Sequence, residues 1–248
     1  MKSSMQCLVF LCAILFGGTT KAYAQSAEYA DEYKAVEAFQ RALKSNDRKK
    51  VAALIAYPIQ RTAPLPVISS PKEFVKHWDE FFDEEVVQHL TQQQPEERGW
   101  RGVFLGDGCV RFFEGKVFSL HCEPIGHKEA LKAAKKRESS KLYKSAQDYD
   151  SIEFKCRTSS LHIRIQQHGD DLRYFAWKKG DSLASKPQLE LHNGISKPDG
   201  SGGNFEVSFV NLPYTYTIQA TRLCGEDCNS YIVVSKGNEE ISRRVCKE

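Results

Sequence analysis

The side chains with the clearest capacity for chemistry in this chain are those of its cysteines. Of eight cysteines, two lie in the first 24 residues and six lie beyond them. In an oxidising compartment an even number of cysteines predicts disulfide bonds rather than reactive thiols. Cys109 and Cys122 fall on one predicted hairpin and are expected to pair. The last four cysteines allow three pairings, and locality favours two bonds: Cys224 with Cys228, and Cys156 with Cys246.

Metal and nucleophile chemistry have weaker support. His121, Cys122 and His127 are close in sequence, but a cysteine in a disulfide cannot bind zinc, and neither Cys-x-x-Cys nor His-Glu-x-x-His occurs. Ser69 and Lys72 match a Ser-x-x-Lys nucleophile motif, but its partner motifs Ser-Asp-Asn and Lys-Thr-Gly are missing. The sequence therefore predicts no metal, no cofactor and no catalytic residue, and so no enzyme.

A run of carboxylates has the residue type needed for glycoside hydrolysis, which uses a pair of acids. The run alternates with aromatic residues at helical spacing, so we expect it on the solvated side of a third helix. Its members are Asp79, Glu80, Asp83, Glu84 and Glu85.

A glycine-rich segment, 199–204, has two interpretations. It is either a bent hairpin loop or a loop that enters the cleft of a partner; the P-loop lysine is missing, so phosphate binding is not expected. A later strand presents alternating polar residues. Together these features supply the candidate partner-binding residues Ser201, Gly202, Asn204, Phe205, Thr215, Thr217 and Gln219.

The first 24 residues have the pattern of a signal peptide. Lys2 precedes a short apolar run, and Ala22-Tyr23-Ala24 has the form of a cleavage site. We expect cleavage after Ala24 and a periplasmic or secreted product. Without Lys2 and Lys21, 35 basic residues become 33 against 32 acidic ones, so no nucleic-acid footprint is expected. No later apolar run approaches the ~18 residues of a membrane span.

Helices are predicted before residue 90. Apolar residues recur at steps of three and four, and Ser70, Pro71 and Glu73 form a capping box for the third helix. An aromatic stripe follows on that helix. It is interpreted as a core face, or alternatively as a ligand pocket lined by Trp78, Phe81 and Phe82.

From Arg101 the period changes to two, and Asp107-Gly108 and Glu114-Gly115 mark hairpin turns. The second turn would place Cys109 opposite Leu120, one diagonal step from Cys122. A bulge or a flexed strand end would close that gap and allow the disulfide.

The remaining segments define the domain boundaries. A basic stretch between residues 126 and 149 carries seven Lys or Arg and two Glu from His127 to Lys144, and is interpreted as a solvated linker helix or as a docking strip for anionic lipid, lipopolysaccharide or an acidic protein. Residues 150–248 show about seven short alternating strands, which predict an antiparallel sandwich or barrel. We expect a signal peptide (1–24), an α+β domain (25–125), the linker (126–149) and an all-β domain (150–248).

A set of residues spread over the first half carries a family resemblance: the 38–44 stretch, Asp47, Val51, Tyr57-Pro58, Ser70, Glu73-Phe74 and Gly106-Asp107-Gly108. In these residues the first half resembles the NTF2-like, cystatin-like family of exported bacterial proteins. The resemblance implies helices packed on a curved antiparallel sheet that forms a cone.

The segment from Ser201 to Phe205 carries a second resemblance, to periplasmic C-type lysozyme inhibitors. These are small β-barrels whose Ser-Gly-x-x-Tyr loop enters the lysozyme cleft; here Phe205 stands at the Tyr position. This resemblance implies a protein partner.

The expected protein is therefore an exported α+β binding protein without catalysis, acting on another envelope protein such as a hydrolase or toxin. A carrier of a small apolar ligand in the N-terminal cone is the alternative, followed by an NTF2-like enzyme. The sequence does not indicate whether the protein is a monomer or an oligomer.

Overall fold

The computed structural model describes residues 27–200, 203–221 and 229–247. Helices precede a series of antiparallel sheets, so the predicted α+β class is confirmed. The signal peptide predicted over 1–24 and the predicted Cys224–Cys228 bond lie outside the described residues. In the part of the chain that is described, no helix is long and apolar enough to cross a bilayer.

The elements follow the chain in this order. The α-helices are α1 (Ala30–Lys44), α2 (Arg48–Ala53), α3 (Pro71–Lys76), α4 (Glu84–Gln92) and α5 (Ile125–Ser139). Short 3₁₀ turns cover Ala27–Tyr29, Trp78–Glu80, Gly99–Arg101 and Lys144–Ala146. The strands are β1 (Glu96–Glu97), β2 (Val103–Leu105), β3 (Val110–Phe113), β4 (Lys116–Leu120), β5 (Ser151–Arg157), β6 (Leu161–His168), β7 (Asp171–Lys178), β8 (Leu189–Leu191), β9 (Ile195–Asp199), β10 (Asn204–Asn211), β11 (Tyr214–Ala220), β12 (Ser230–Lys236) and β13 (Glu239–Cys246).

The N-terminal core lies between α1 and one face of the antiparallel sheet β1-β2-β3-β4. Val36, Phe39 and Leu43 recur at helical spacing and are all buried. The ring of Phe39 meets the edge of Phe112 on β3, with ring centroids 5.5 Å apart. Burial of each such side chain contributes roughly 2 kcal/mol, so the apolar face of α1 determines how the helix seats on the sheet.

The third helix is shorter than predicted, and the run of carboxylates does not lie on one helix face. The helix ends at Lys76, a 3₁₀ turn follows, and α4 begins at Glu84. The physical cause is Asp83, whose side chain accepts a hydrogen bond from the Val86 backbone N–H at 2.9 Å and caps a new helix. The predicted cap at Ser70 is confirmed, since its hydroxyl accepts from the Glu73 N–H.

Both predicted hairpin turns are present. Asp107 and Gly108 join β2 to β3, and Glu114-Gly115 joins β3 to β4. Glu114 and Gly115 both have positive φ, as a two-residue turn of this type requires.

The register of the second hairpin brings Cys109 and Cys122 together. A bulge at Arg111 and Phe112 shifts the pairing, so that Leu120 lies opposite Val110 instead of Cys109. The two cysteines then meet across the strand ends with 4.7 Å between their Cα atoms, and the predicted disulfide is formed.

The C-terminal domain is a sandwich of two open antiparallel sheets, with strand orders β5-β6-β7-β8 and β13-β12-β11-β10-β9. Of the two architectures predicted from the sequence, the sandwich is observed and neither sheet closes into a barrel. The inward residues of both sheets form one core, which includes Ile165, Tyr174, Phe209 and Ile218.

The two sheets differ on their outer faces. The outer face of β7 carries Phe175 and Trp177, which pack beneath Leu142, Ala146 and Tyr149 from the segment after α5. Strand β7 is therefore buried on both faces, and this explains its almost unbroken apolar run.

The disulfide between Cys156 and Cys246 joins the first and last strands of the sandwich, as predicted, with 5.3 Å between the Cα atoms. Beside it, the backbones of Arg157 and Lys247 exchange hydrogen bonds of 2.7 and 3.0 Å. This bond and backbone pair join the edges of the two sheets.

Helix α5 contacts the Trp78–Glu80 turn at its start and strand β6 at its end. At its start, Gly126 lies against the Asp79 carbonyl, so close that a Cβ there would be 2.1 Å from the oxygen. At its end, Glu138 accepts two hydrogen bonds from Arg164 of β6, both at 3.1 Å. The basic stretch is thus a helix, as predicted, and is anchored at each end.

Candidate binding surfaces

The glycine-rich segment lies between the antiparallel strands β9 and β10. Asp199 pairs with Asn204, and Gly200 and Gly203 have positive φ. Ser201 and Gly202, which the sequence marked for partner binding, lie outside the described residues.

The remaining candidate residues of this region lie on opposite faces of the five-stranded sheet. Phe205 pairs with buried Ala220, and its ring meets Phe154 across the sandwich with centroids 6.2 Å apart. Thr217 and Gln219 belong to the other face of the sheet. The structure therefore does not bring Phe205 together with the polar strand residues.

The polar strand face is cross-linked by hydrogen bonds between neighbouring strands. The Thr217 and Ser208 hydroxyls are 3.2 Å apart. Gln219 accepts from Arg243 at 2.8 Å and donates to Glu206 at 3.4 Å. Thr215, Thr217 and Gln219 are half-buried on this face, and the hydrogen bonds of Thr217 and Gln219 hold their side chains against the neighbouring strands.

The three aromatic residues predicted as an alternative pocket are core residues. Trp78, Phe81 and Phe82 are each less than 5% exposed, and the rings of Trp78 and Phe82 are 4.6 Å apart. Phe81 alone of the three borders a described cavity, of about 280 Å³, which also touches Arg61 and His127.

Arg61 is the most unusual residue at this cavity. Its side chain is 2% exposed and forms an ion pair with Glu80, and its guanidinium lies 5.3 Å from the Phe81 ring centroid. Its Nε and Nη1 atoms are buried without a hydrogen-bond acceptor in the described part of the chain. Burial lowers the pKa of His127, and the charge of Arg61 lowers it further.

The histidines near Cys122 border the same cavity. His121 and His127 both line it, while the Cys122 sulfur is bonded to Cys109. Over the described ranges, no three His, Cys, Asp or Glu side chains come together as a metal site.

A further surface was missed by the sequence reasoning: the outer face of the β2–β4 sheet, opposite the helices. At its centre, the Arg111 guanidinium lies within cation–π distance of three rings. Its carbon is 4.9 Å from the centroid of Phe118, 5.3 Å from Phe113 and 6.0 Å from Phe104. Phe113 and Phe118 also meet edge to face at 5.9 Å.

The surface continues toward the Gly99–Arg101 turn. Arg98 stacks over Phe104 at 4.7 Å, and Arg101 lies 5.4 Å from the Trp100 ring centroid. Arg111 Nε donates to the Arg101 carbonyl at 2.6 Å, which fixes the turn against the sheet. We call this set, Arg98, Trp100, Arg101, Phe104, Arg111, Phe113 and Phe118, the arginine–aromatic face.

Two properties distinguish the arginine–aromatic face from ordinary surface. Trp100 is 69% exposed and Phe118 is 50% exposed, so large rings face solvent. Arg98 forms an ion pair with Glu96 at 2.7 Å, but neither Arg101 nor Arg111 forms one with a described carboxylate. Partial burial and the charge of Arg101 lower the pKa of Arg111, yet a guanidinium remains charged in proteins.

The signal for this face was present in the strand alternation. Phe104, Phe113 and Phe118 occupy positions that point away from the helices, where polar residues are expected on a half-exposed sheet.

Comparison of the chain with protein-family models, curated proteins and solved structures found no match.

Proposed function

We propose that this chain is an exported, non-catalytic binding protein that captures a partner protein in the bacterial envelope through the arginine–aromatic face. The observation that carries the proposal is the set of three rings around Arg111, beside the exposed Trp100. Aromatic residues and arginine are the types enriched at the energetic centres of protein interfaces. Exposed apolar groups rimmed by polar ones mark interaction sites more often than ordinary surface does.

The partner we propose has an acidic surface with neighbouring apolar side chains. Its carboxylates would form bidentate pairs with Arg101 and Arg111, whose charges are not balanced by described carboxylates. Its apolar side chains would cover Trp100 and Phe118. The pairing of two such faces from copies of this chain would bring arginines together, and this disfavours self-association.

A secreted hydrolase or toxin, inhibited by the contact, is the partner class we propose. Two features support it: the signal-peptide pattern of the first 24 residues, which predicts export, and the resemblance of the Ser201–Phe205 segment to lysozyme inhibitors. The two described disulfides are compatible with that compartment.

The test compares two matched variants in affinity capture from envelope extracts. Trp100→Ser with Phe118→Ser removes the exposed rings from the arginine–aromatic face. Leu212→Ser with Ile241→Ser removes two exposed apolar residues from the C-terminal domain instead. We expect the first variant to lose a specific partner at least tenfold in recovered amount and the second to retain it.

A purified pair then gives the dissociation constant. Arg111→Gln should weaken it at least tenfold, and added salt should weaken the wild type more than the variant. Equal capture by the wild type and the Trp100 and Phe118 variant would overturn the proposal.

A second candidate function is that of a small-ligand carrier, and the cavity beside Arg61 favours it. Two buried guanidinium nitrogens need acceptors, and Gln60 and Thr62 add polar groups to the lining. A ligand with acceptor oxygens would suit this site better than the apolar ligand expected from Trp78, Phe81 and Phe82. Native mass spectrometry of protein purified from the envelope would reveal such a ligand, and an apo mass alone would count against it.

A further inference from the structure

A cavity lies where the end of α5 and the segment after it meet the outer face of the β5–β8 sheet. Its volume is about 480 Å³, within the range of pockets that bind small organic molecules. Its lining includes Glu138, Leu142, Arg157, Trp177, Leu183 and Lys247.

Apolar groups make up one part of the cavity wall. Trp177 is 1% exposed and Leu142 is 3% exposed, and Leu183 packs against the same cluster. The Trp177 indole N–H donates to the Ser185 carbonyl at 2.9 Å, so the ring is fixed in position and its polar atom is satisfied. This part of the cavity offers a dry surface for a hydrocarbon or aromatic body.

Positive charge dominates the rest of the lining. Five Lys and Arg residues border the cavity, against one carboxylate, Glu138. That carboxylate is already engaged: Arg164 binds both oxygens at 3.1 Å, Lys155 donates at 3.2 Å, and the Tyr149 hydroxyl donates at 2.6 Å. Glu138 therefore pairs with Arg164 and Lys155 and leaves the other three cations of the lining without a described acidic partner.

Three of these cations have no ion pair with any carboxylate in the described ranges: Lys141, Arg157 and Lys247. Arg157 and Lys247 are held side by side by their paired backbones and by the adjacent disulfide between Cys156 and Cys246. Placing two like charges together is unfavourable unless a counter-charge binds between them. The fold thus sets two cations at the rim of a cavity whose floor is apolar.

We propose that this cavity binds an amphiphilic organic anion: a carboxylate or phosphate at the rim near Arg157 and Lys247, with its acyl or aryl body against Trp177, Leu142 and Leu183. A free organic acid and an acidic membrane lipid both combine an anionic group with an apolar body, so both have the chemistry that this site would recognise. The site is separate from the arginine–aromatic face, and it does not depend on the function proposed there.

Calorimetric titration with three probes tests both parts of the recognition. Decanoate carries the charge and the apolar body, decanol carries only the body, and acetate carries only the charge. We expect decanoate to bind at least tenfold more tightly than either of the others. Equal affinity for decanoate and decanol, or no binding of decanoate, would overturn the proposal.

Matched charge variants locate the site. Arg157→Gln with Lys247→Gln removes two exposed cations from the rim, whereas Lys128→Gln with Lys132→Gln removes two exposed cations of α5 that do not border the cavity. The rim variant should bind decanoate at least tenfold more weakly, and the α5 variant should change the affinity by less than twofold. Equal losses of decanoate affinity in the two variants would show general electrostatic attraction and would contradict the assignment of the site to this cavity.

Sedimentation with phosphatidylglycerol vesicles distinguishes the two sources of the anion. If the natural ligand is a membrane lipid, the wild type enters the pellet and the rim variant stays in the supernatant. If the natural ligand is a free acid, the wild type and the rim variant both stay in the supernatant. The wild type still binds decanoate more tightly than the rim variant does.

Discussion

Arg61 and Glu80 form an ion pair within the N-terminal domain, with the Arg61 side chain 2% exposed and the Glu80 side chain 22% exposed. His77 contributes a second contact to Glu80, with Nδ1 2.6 Å from the carboxylate. The same pair places Arg61 at the wall of the smaller cavity, next to His127. Glu80 therefore stabilises the fold as the counter-ion of Arg61, although the sequence predicted it on the solvated side of a helix.

Glu80→Gln should destabilise the protein strongly. The substitution leaves the buried Arg61 charge without a counter-ion, and loss of one partner from a buried pair costs about 3 kcal/mol or more. Urea unfolding at neutral pH measures the change. Asp79→Asn is the control, because its ion pair with Arg48 is exposed and should be worth less than about 1 kcal/mol. Equal effects of the two substitutions would contradict the burial argument.

Glu138 should contribute to stability at neutral pH and lose that contribution in acid. Burial alone would raise the pKa of Glu138, but hydrogen bonds from Tyr149 and Arg164 and the charge of Lys155 outweigh it and lower the pKa. A carboxylate whose pKa is lowered in the folded state stabilises fully above its unfolded pKa of about 4.3, and this is lost as the pH falls through the folded value.

The measurement is the melting temperature between pH 7 and pH 2.5. Glu138→Gln should be less stable than the wild type at pH 7, and the difference should shrink below about pH 4. Glu129→Gln, on the exposed side of the same helix, should follow the wild-type profile. A Glu138 variant whose deficit stays constant with pH would contradict the assignment.

The two described disulfides should differ in their contribution to stability. Cys109 and Cys122 are 13 residues apart, whereas Cys156 and Cys246 are 90 apart. In the chain-entropy model these loops are worth about 3 and about 4.5 kcal/mol, so the double serine variant of the longer loop should be the less stable one by about 1.5 kcal/mol. Urea unfolding of both double variants measures this difference. A lower stability of the variant that lacks the shorter loop's disulfide would refute the loop-length account.

Gly126→Ala should destabilise the protein even though alanine is the better helix former. Helix propensity alone predicts a gain of about 1 kcal/mol. The added Cβ, however, would lie 2.1 Å from the Asp79 carbonyl oxygen, so α5 must move away from the Trp78–Glu80 turn. The melting temperature should fall, and limited proteolysis should cut near α5 sooner. A higher melting temperature would show that the contact is not needed.

Local rules predicted much of the fold. Asp107-Gly108 and Glu114-Gly115 set the two hairpins, and the Cys109–Cys122 bond followed from their register and a bulge. These features depend on residues that are close in the sequence, and such turns allow only a narrow range of backbone geometries. The end of the third helix was missed because Asp83 begins a new helix by capping it, and the aromatic spacing continues across the break.

The candidate surfaces were harder to predict because they depend on which sheet face is covered. Strand β7 is buried on both faces only because the segment after α5 returns over Phe175 and Trp177. The face around Arg111 is open because the helices lie on the other side of the sheet. Alternation identifies two faces, but only tertiary packing decides which of them meets solvent.

Helix α5 has a mechanical consequence. It spans 15 residues, about 22 Å, and is fastened at one end by the close approach of Gly126 to Asp79 and at the other by the double hydrogen bond from Arg164 to Glu138. We expect this attachment at both ends to restrict rotation of the N-terminal helices and sheet relative to the C-terminal sandwich. Nitrogen-15 relaxation should therefore report a single rotational correlation time for the two halves, tumbling as one particle.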